Sequence, residues 1–231
     1  MSSDPLSDAR IVDSWTRNAA PWTDAVRENR IESRKLVTNR AIVDAVLDCR
    51  PRKILDIGCG EGWLVRALAE HGISGIGVDV VPSLIEQAAR AGDGDFRVAS
   101  YEEIADGRLD LKVDAVVANF SLIGKESVEG VIHRTPELLE RDGALIIQTL
   151  HPLIATGDQP YEDGWRQGSW AGFSSDFSDP APWYFRTIET WNDLIAECGF
   201  ASIEVREPLH PATGKPASII FIASKTSLAT G

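Results

Sequence analysis

Between Ile54 and Thr149 the apolar positions alternate between two periods. KILDI (53–57) is a short, β-branched apolar run closed by glycine, which predicts a buried strand. Leu64, Ala67 and Leu68 follow at helical spacing, and His71-Gly72 supplies a helix stop. GIGVDV (75–80) predicts a second strand. Pro82 then stands where a first helical residue would, ahead of Ile85, Ala88 and Ala89, until Gly92. DFRVAS (95–100) predicts a third strand and VDAVVANF (113–120) a fourth. Val128, Val131, Ile132, Thr135, Leu138 and Leu139 share one helical face, which Pro136 is expected to bend or interrupt. Arg141-Asp142-Gly143 predicts a turn into a fifth strand, ALIIQTL (144–150).

Strands with continuous apolar runs, alternating with helices, predict a doubly wound α/β fold: a mostly parallel sheet covered on both faces. Ligands in such folds bind beyond the carboxyl ends of the strands, where strand order reverses. Residues 1–50 are expected to form a cap of two or three helices carrying Trp15 and Trp22, with the core domain at 51–231. After strand five comes a long insertion, 151–187, on the substrate side, where Trp165, Trp170, Phe173, Phe177, Trp183, Tyr184 and Phe185 argue for order. Trp191, Leu194, Ile195 and Cys198 predict a further helix ended by Gly199, and ASIEVRE (201–207) and ASIIFIAS (217–224) two more strands.

Composition narrows the function. The net charge of −12 opposes a nucleic-acid partner. Between Arg10 and Arg40, however, seven basic residues face four acidic ones, either as a solvated helical face or as a local anion clamp. No run approaches the ~18 apolar residues of a membrane span. The first thirty residues lack an apolar signal core, so a cytoplasmic protein is expected. Cys49, Cys59 and Cys198 show neither disulfide nor metal-site spacing, and no metal is expected.

The chemistry concentrates at Asp56-x-Gly58-x-Gly60-x-Gly62, behind the first strand. A dinucleotide fingerprint would read G-x-G-x-x-G, with an acid about twenty residues on. Asp79 stands at that distance, and its carboxylate can accept from both ribose hydroxyls. The glycine spacing is shorter, however, and Asp56 is a poor neighbour for a pyrophosphate but a good one for an ammonium or a sulfonium. The glycines imply close approach of a ligand to the loop backbone.

ILDIGCGEG, GVDVVPSLIEQA, VDAVVANFSL and LLERDGALIIQTLHP together resemble the class I S-adenosylmethionine-dependent methyltransferases over roughly Lys53 to Pro152. The likeness is nearest to the small-molecule branch that serves ubiquinone and menaquinone biosynthesis. It implies a seven-stranded Rossmann-like sheet with the last strand antiparallel. It implies S-adenosylmethionine as cofactor, S-adenosylhomocysteine as product, and a small-molecule methyl acceptor. Asp56, Gly58, Cys59 and Gly60 would hold the methionine half, Asp79 the ribose and Val80 the adenine face. Asn119 and Phe120 would lie near the transferring methyl. Where the family often carries an acid for the adenine amino group this chain has Ser100, followed by Tyr101, so that the serine hydroxyl or Glu102 would substitute. Cys59 reads as a small packing residue within the turn.

Methyl transfer from a sulfonium has a good leaving group, so alignment and exclusion of water matter more than a catalytic triad. His71 reads as a helix cap, His133 as a polar-face residue, and His210 stands in a late loop. His151, at the end of strand five, reads either as a strand-terminus residue or as a general base or substrate hydrogen bond. Trp15, Trp22 and Trp165 either anchor their segments or build an aromatic pocket for a flat or apolar acceptor. Arg30 and Arg34, four apart on an expected helix, could share a face and hold a carboxylate, and Arg166 beside Trp165 is a similar candidate. A non-catalytic S-adenosylmethionine-binding sensor or partner subunit, a protein methyltransferase and an NAD-dependent dehydrogenase are the competing readings. Oligomeric state is not legible.

Overall fold

The computed structural model describes residues 4–225; residues 1–3 of the expected cap and 226–231 of the expected core lie outside them. The expected parallel strands form: β1 (Lys53–Ile57), β2 (Ser74–Asp79), β3 (Asp95–Val98), β4 (Val113–Asn119) and β5 (Leu139–Thr149). With β8 (Ser202–Arg206) and β9 (Ile219–Ser224) they make one seven-stranded sheet, ordered β3-β2-β1-β4-β5-β9-β8. The first five strands are parallel, and β9 runs antiparallel to both β5 and β8. Strand order therefore reverses between β1 and β4, which opens a crevice at their carboxyl ends.

Two apolar layers hold the sheet. One face carries α2 (Asn39–Asp48) and α3 (Trp63–Ala69), which bury Ile42, Val46, Leu64 and Leu68 against Ile54, Val117 and Ile146. The other carries α5 (Tyr101–Ala105), α6 (Glu126–Leu138) and α8 (Ile188–Glu197), with Ile104, Ile132, Trp191 and Ile195 against Val116 and Phe221. Truncating a fully buried side chain such as Ile132 to alanine would cost about 2–5 kcal/mol. A third, smaller cluster joins α1 (Asp8–Arg27) to α4 (Pro82–Ala91) through Ala19, Val81 and Leu84, with Trp15 and Trp22 packed on it.

Four local expectations change. Pro136 does not interrupt α6, which runs two residues past it before stopping at Leu138. Arg141-Asp142-Gly143 is no turn. Leu139 already pairs with Val113, and β5 passes through exposed Arg141 and Asp142 and buried Gly143 with a register shift against β4. Ser100 opens an unexpected helix, α5, because SYEE is a capping box: Ser100 Oγ accepts from Glu103 N, and Glu103 returns to Ser100 N. Arg30 and Arg34 share no helical face, since α1 ends at Arg27, Asn29 turns left-handed and a π-helical turn (Arg34–Thr38) follows.

The insertion folds as α7 (Pro152–Ala155), then a two-stranded ribbon of β6 (Gly164–Arg166) and β7 (Trp183–Phe185). Its coil is tied to α1. Arg10 and Arg17 both pair with Asp179, and Asn18 exchanges two hydrogen bonds with Ser178, at 2.7 and 2.9 Å. Tyr184 N donates to Ile123 O at 2.8 Å, which seats the ribbon on the loop after β4.

Candidate active site

At the β1–β4 crossing lies a cleft with about 840 Å³ of atom-free space, open to solvent. The strand ends and the turn after β1 supply its floor: Gly58, Gly60, Asp79, Val80, Asn119 and Phe120. Ser100, Tyr101 and Glu102 close one end. The roof is α1, whose Asp8, Ile11, Val12, Trp15 and Trp22 face inward. The sequence left Trp15 and Trp22 as segment anchors or pocket aromatics, and they both pack on the α1–α4 cluster and line the cleft; Asp8, Ile11 and Val12 were missed, although 8, 11, 12 and 15 fall at helical spacing. Asp8 also fixes the roof, because its two carboxylate oxygens accept from Lys125 N and Ser127 N, both at 2.8 Å, at the amino end of α6.

The glycine loop is more than a ligand cradle. A Cβ on Gly58 would stand 2.4 Å from Ser121 Cβ and 2.7 Å from the Tyr101 hydroxyl, and one on Gly62 would stand 2.6 Å from Phe96 Cε1. The protein's own side chains exclude substitution there. At Gly60 the nearest atom is Trp22 Nε1, 3.6 Å away, so this glycine faces the cleft. Glu61 anchors the loop from beneath, buried between Arg27 (2.9 Å) and Arg66 (2.7 Å).

Asp79 is buried, accepting from Gly60 N (3.0 Å) and Val81 N (2.9 Å). Burial raises its carboxyl above the ordinary value, and those backbone donors oppose the shift. Two bonds leave about two of its four lone-pair sites free. Phe120 holds a left-handed φ of 54°, which turns the chain out of β4 at the cleft edge. Asn119 Oδ1 accepts from Gln148 Nε2 at 2.7 Å, and the same amide nitrogen donates to Thr38 O at 3.0 Å. The Tyr101 hydroxyl donates to Ser121 O at 3.0 Å, and burial pushes its phenol up.

Asp56 and Arg34 lie behind the wall and do not line it. Asp56 is 2% exposed with Oδ1 unpartnered, and burial, then the Asp79 charge, raise its carboxyl to about 7, against the pull of Arg34. Arg34 stacks 4.8 Å over Trp63 and 5.6 Å from Trp22, with Nη2 unpartnered. Burial lowers its guanidinium to about 10, while Glu61 and Asp56 oppose. A buried acid and a buried base, each with an orphaned atom, fit an amino-acid tail whose ammonium and carboxylate complete both.

Other expected site residues stand elsewhere. Cys59 is buried in the core side of the loop, its thiol pushed up by burial and then by Asp56, so no reactive thiol reaches the cleft. Ser100 lines the cleft, but its hydroxyl is taken by the α5 cap. Arg30 is exposed and paired with Glu28. Trp165 packs edge-on to Tyr184 at 5.6 Å in the ribbon. Arg166 is spent internally, stacked 3.5 Å over Phe185 and donating to Pro160 O at 2.8 Å. His151 is among the residues lining a second cavity, with Leu150, Ile154 and Trp183, and its Nε2 lies 2.7 Å from Glu207 Oε1. Among the described residues no cluster of three His, Cys, Asp or Glu is placed to hold a metal, and no helix is long and apolar enough to cross a membrane.

The sheet order with its reversed β9, the acid ending β2 and the glycine turn after β1 define the class: a Rossmann-like methyltransferase fold. A family model described as a methyltransferase domain matches residues 20–205, and the chain belongs to that family. A ubiquinone biosynthesis O-methyltransferase of Xanthomonas oryzae is 31% identical over 114 residues, 47% of this chain and 47% of the relative. The mitochondrial ubiquinone biosynthesis O-methyltransferase of Bos taurus is 35% identical over 107 residues, 43% of this chain and 29% of the relative. The chain thus spans less than half the length of these curated relatives. Among solved structures, an S-adenosylmethionine-dependent methyltransferase from Mesorhizobium loti superposes with a TM-score of 0.60 at 21% identity, covering 78% of this chain and 96% of its own. The 1,6-didemethyltoxoflavin-N1-methyltransferase of Burkholderia thailandensis, solved with 1,6-didemethyltoxoflavin and S-adenosylhomocysteine, gives 0.61 at 17%, covering 94% and 91%.

Proposed function

We propose that the protein transfers a methyl group from S-adenosylmethionine to a small-molecule acceptor. The observation that carries this is the complementary set around one cleft: Asp79 with free lone pairs, and the orphaned atoms of Asp56 and Arg34 behind Gly60. Asp79 holds the ribose hydroxyls and Val80 packs on the adenine. Glu102, exposed at the cleft end, takes the adenine amino group as a charged acceptor beside Ser100, whose Oγ accepts from Glu103 N. Arg34 and Asp56 hold the charged tail, which requires Trp22 to turn away from Gly60. The bound cofactor supplies an electrophilic methyl on a sulfonium. The chain then aligns the acceptor and excludes water beneath the α1 roof. Among the described residues neither the cleft nor the second cavity is lined by lysine or arginine, which supports an acceptor without negative charge. The resemblance to the ubiquinone O-methyltransferases supports the small-molecule class.

Calorimetric titration tests the reading. S-adenosylmethionine and S-adenosylhomocysteine should bind and NADH should not. Asp79→Asn should weaken both by about tenfold or more, the value of charged hydrogen bonds. Binding of NADH alone would point to a dehydrogenase.

A further inference from the structure

Asn119, the last residue of β4, is half-buried and lines the cofactor cleft. Which end of its amide faces the cleft is set from behind, by Gln148 of β5, which is 1% exposed. Gln148 Nε2 lies 3.0 Å from Thr38 O and 2.7 Å from Asn119 Oδ1, and its Oε1 lies 3.1 Å from Ser218 Oγ. A backbone carbonyl only accepts, so the Gln148 atom that meets Thr38 O is the nitrogen. That nitrogen carries two hydrogens, and the second points at Asn119. Reversing the Asn119 amide would set two N–H2 groups against each other. The Asn119 oxygen therefore faces Gln148, and the N–H2 group is left over.

Asn119 Nδ2 has no partner among the described residues and is not sealed in the interior, so it opens to the cleft. The two hydroxyls beside it are already spent. Ser121 Oγ donates to Ile57 O at 2.6 Å, and the Tyr101 hydroxyl donates to Ser121 O at 3.0 Å. The β4 end of the cleft thus presents an amide donor whose direction is fixed by a buried network reaching β5, Thr38 and Ser218.

We propose that Asn119 selects the methyl acceptor. Its N–H2 group donates to a neutral oxygen or ring nitrogen of that molecule, and Gln148 is the positioning residue that keeps the amide turned this way. This rests on the transferase reading above. The acceptor class is a neutral molecule with a lone pair where it meets Asn119. A protonated amine is rejected there, because an ammonium offers only hydrogens. The carboxylate of the cofactor's own tail carries lone pairs too, and the experiment separates the two sources.

Acetophenone and 1-phenylethylammonium are the probes, since they place a lone pair or N–H donors at one point of a shared skeleton. The protein is saturated with S-adenosylhomocysteine. Side-chain amide resonances of Asn119 and Gln148, assigned by their loss in Asn119→Asp and Gln148→Glu, are followed as each probe is added. Acetophenone should move the Asn119 resonances saturably and bind about threefold to tenfold more tightly than 1-phenylethylammonium, the value of one hydrogen bond. Asn119→Asp still accepts from Gln148 but turns a carboxylate oxygen to the cleft, so it should reverse that order. Gln148→Glu has no hydrogens for Asn119, so the Asn119 amide should turn over and the order should reverse with Asn119 itself unchanged. A merely structural contact would give no reversal, and if Gln148→Glu fails to fold, Asn119→Asp decides alone. Asn119→Asp is also titrated with S-adenosylhomocysteine and with 5′-methylthioadenosine, which lacks the amino-acid tail. A loss confined to S-adenosylhomocysteine assigns Asn119 to the cofactor tail and overturns the proposal. No saturable shift with acetophenone, or an unchanged order in Asn119→Asp, overturns it as well, with the cofactor site intact. Failure of the wild type to bind S-adenosylhomocysteine or S-adenosylmethionine overturns the transferase reading, and the acceptor role with it.

Discussion

Gly58→Ala separates two explanations of the glycine loop. If the glycine served only a ligand, alanine would fold normally and bind poorly. The structure predicts a folding defect. The added Cβ meets Ser121 Cβ at 2.4 Å and the Tyr101 hydroxyl at 2.7 Å, on a backbone with φ of 72°. Overpacking costs about 1–3 kcal/mol and a left-handed alanine about 1–2 kcal/mol more. At about 2–4 °C per kcal/mol for a chain of this size, the melting midpoint should fall by roughly 4–20 °C. Gly60→Ala, whose nearest neighbour is 3.6 Å away, carries the backbone cost alone and should lose roughly 2–8 °C. Its loss should appear instead in S-adenosylmethionine affinity. Thermal melts of both variants and of Gly58→Ala/Ser121→Gly complete the test. Ser121→Gly alone loses the 2.6 Å bond from Ser121 Oγ to Ile57 O. The double variant should nevertheless recover part of the defect, with a favourable coupling of about 0.5–3 kcal/mol. Equal losses at Gly58 and Gly60, or additive single effects, would refute the reasoning.

Four further outcomes are expected. The Asp56 carboxyl sits near 7 in the folded protein, above its unfolded value of about 3.9. The folded state thus binds the extra proton between those values, and stability should fall as pH rises from about 4 to about 7, an effect on the order of a few kcal/mol that Asp56→Asn abolishes in pH-dependent melts. An ammonium favours the ionised acid, so donor binding should release a proton below about pH 7 and strengthen until the carboxyl is ionised; calorimetry in buffers of different ionisation enthalpy reads this. Asp179→Asn keeps a side chain that tolerates the left-handed φ of 45° there and removes the charge facing Arg10 and Arg17, so it should cost less than about 1 kcal/mol yet speed hydrogen exchange across the coil between β6 and β7. The proposed donor pose requires Trp22 to leave Gly60, so wild-type tryptophan fluorescence should change on adding S-adenosylhomocysteine, and Trp22→Phe should remove most of that change.

The floor of the cleft was legible because each of its residues ends a strand whose apolar run is legible by itself. Asp79 and Asn119 end β2 and β4, Val80 and Phe120 follow them directly, and the sheet topology brings those ends together. The roof was legible only in part. The stripe at 8, 11, 12 and 15 marks an apolar face of α1, but not whether that face meets a core or a cleft. Arg166 and Trp165 looked like substrate groups until the ribbon placed them against Phe185 and Tyr184. The end of α1 at Arg27 separated Arg30 from Arg34, leaving one exposed and the other buried.

By itself the chain determined what depends on neighbours a few residues away: strand and helix periodicity, the acid at the end of β2, and the turn after β1. Those patterns suffice for a doubly wound sheet with a glycine turn and an acid at its crossing, since parallel strand order places the strand ends along one edge. Tertiary structure decided what depends on residues far apart in sequence. It set Ser121 against Gly58 and made Asp8 a cap for α6. It closed α1 over the cleft through Asp179, and it turned His151 toward Glu207, 56 residues away. A single sequence carries no record of such contacts, because burial and pairing energies act through space and not along the chain.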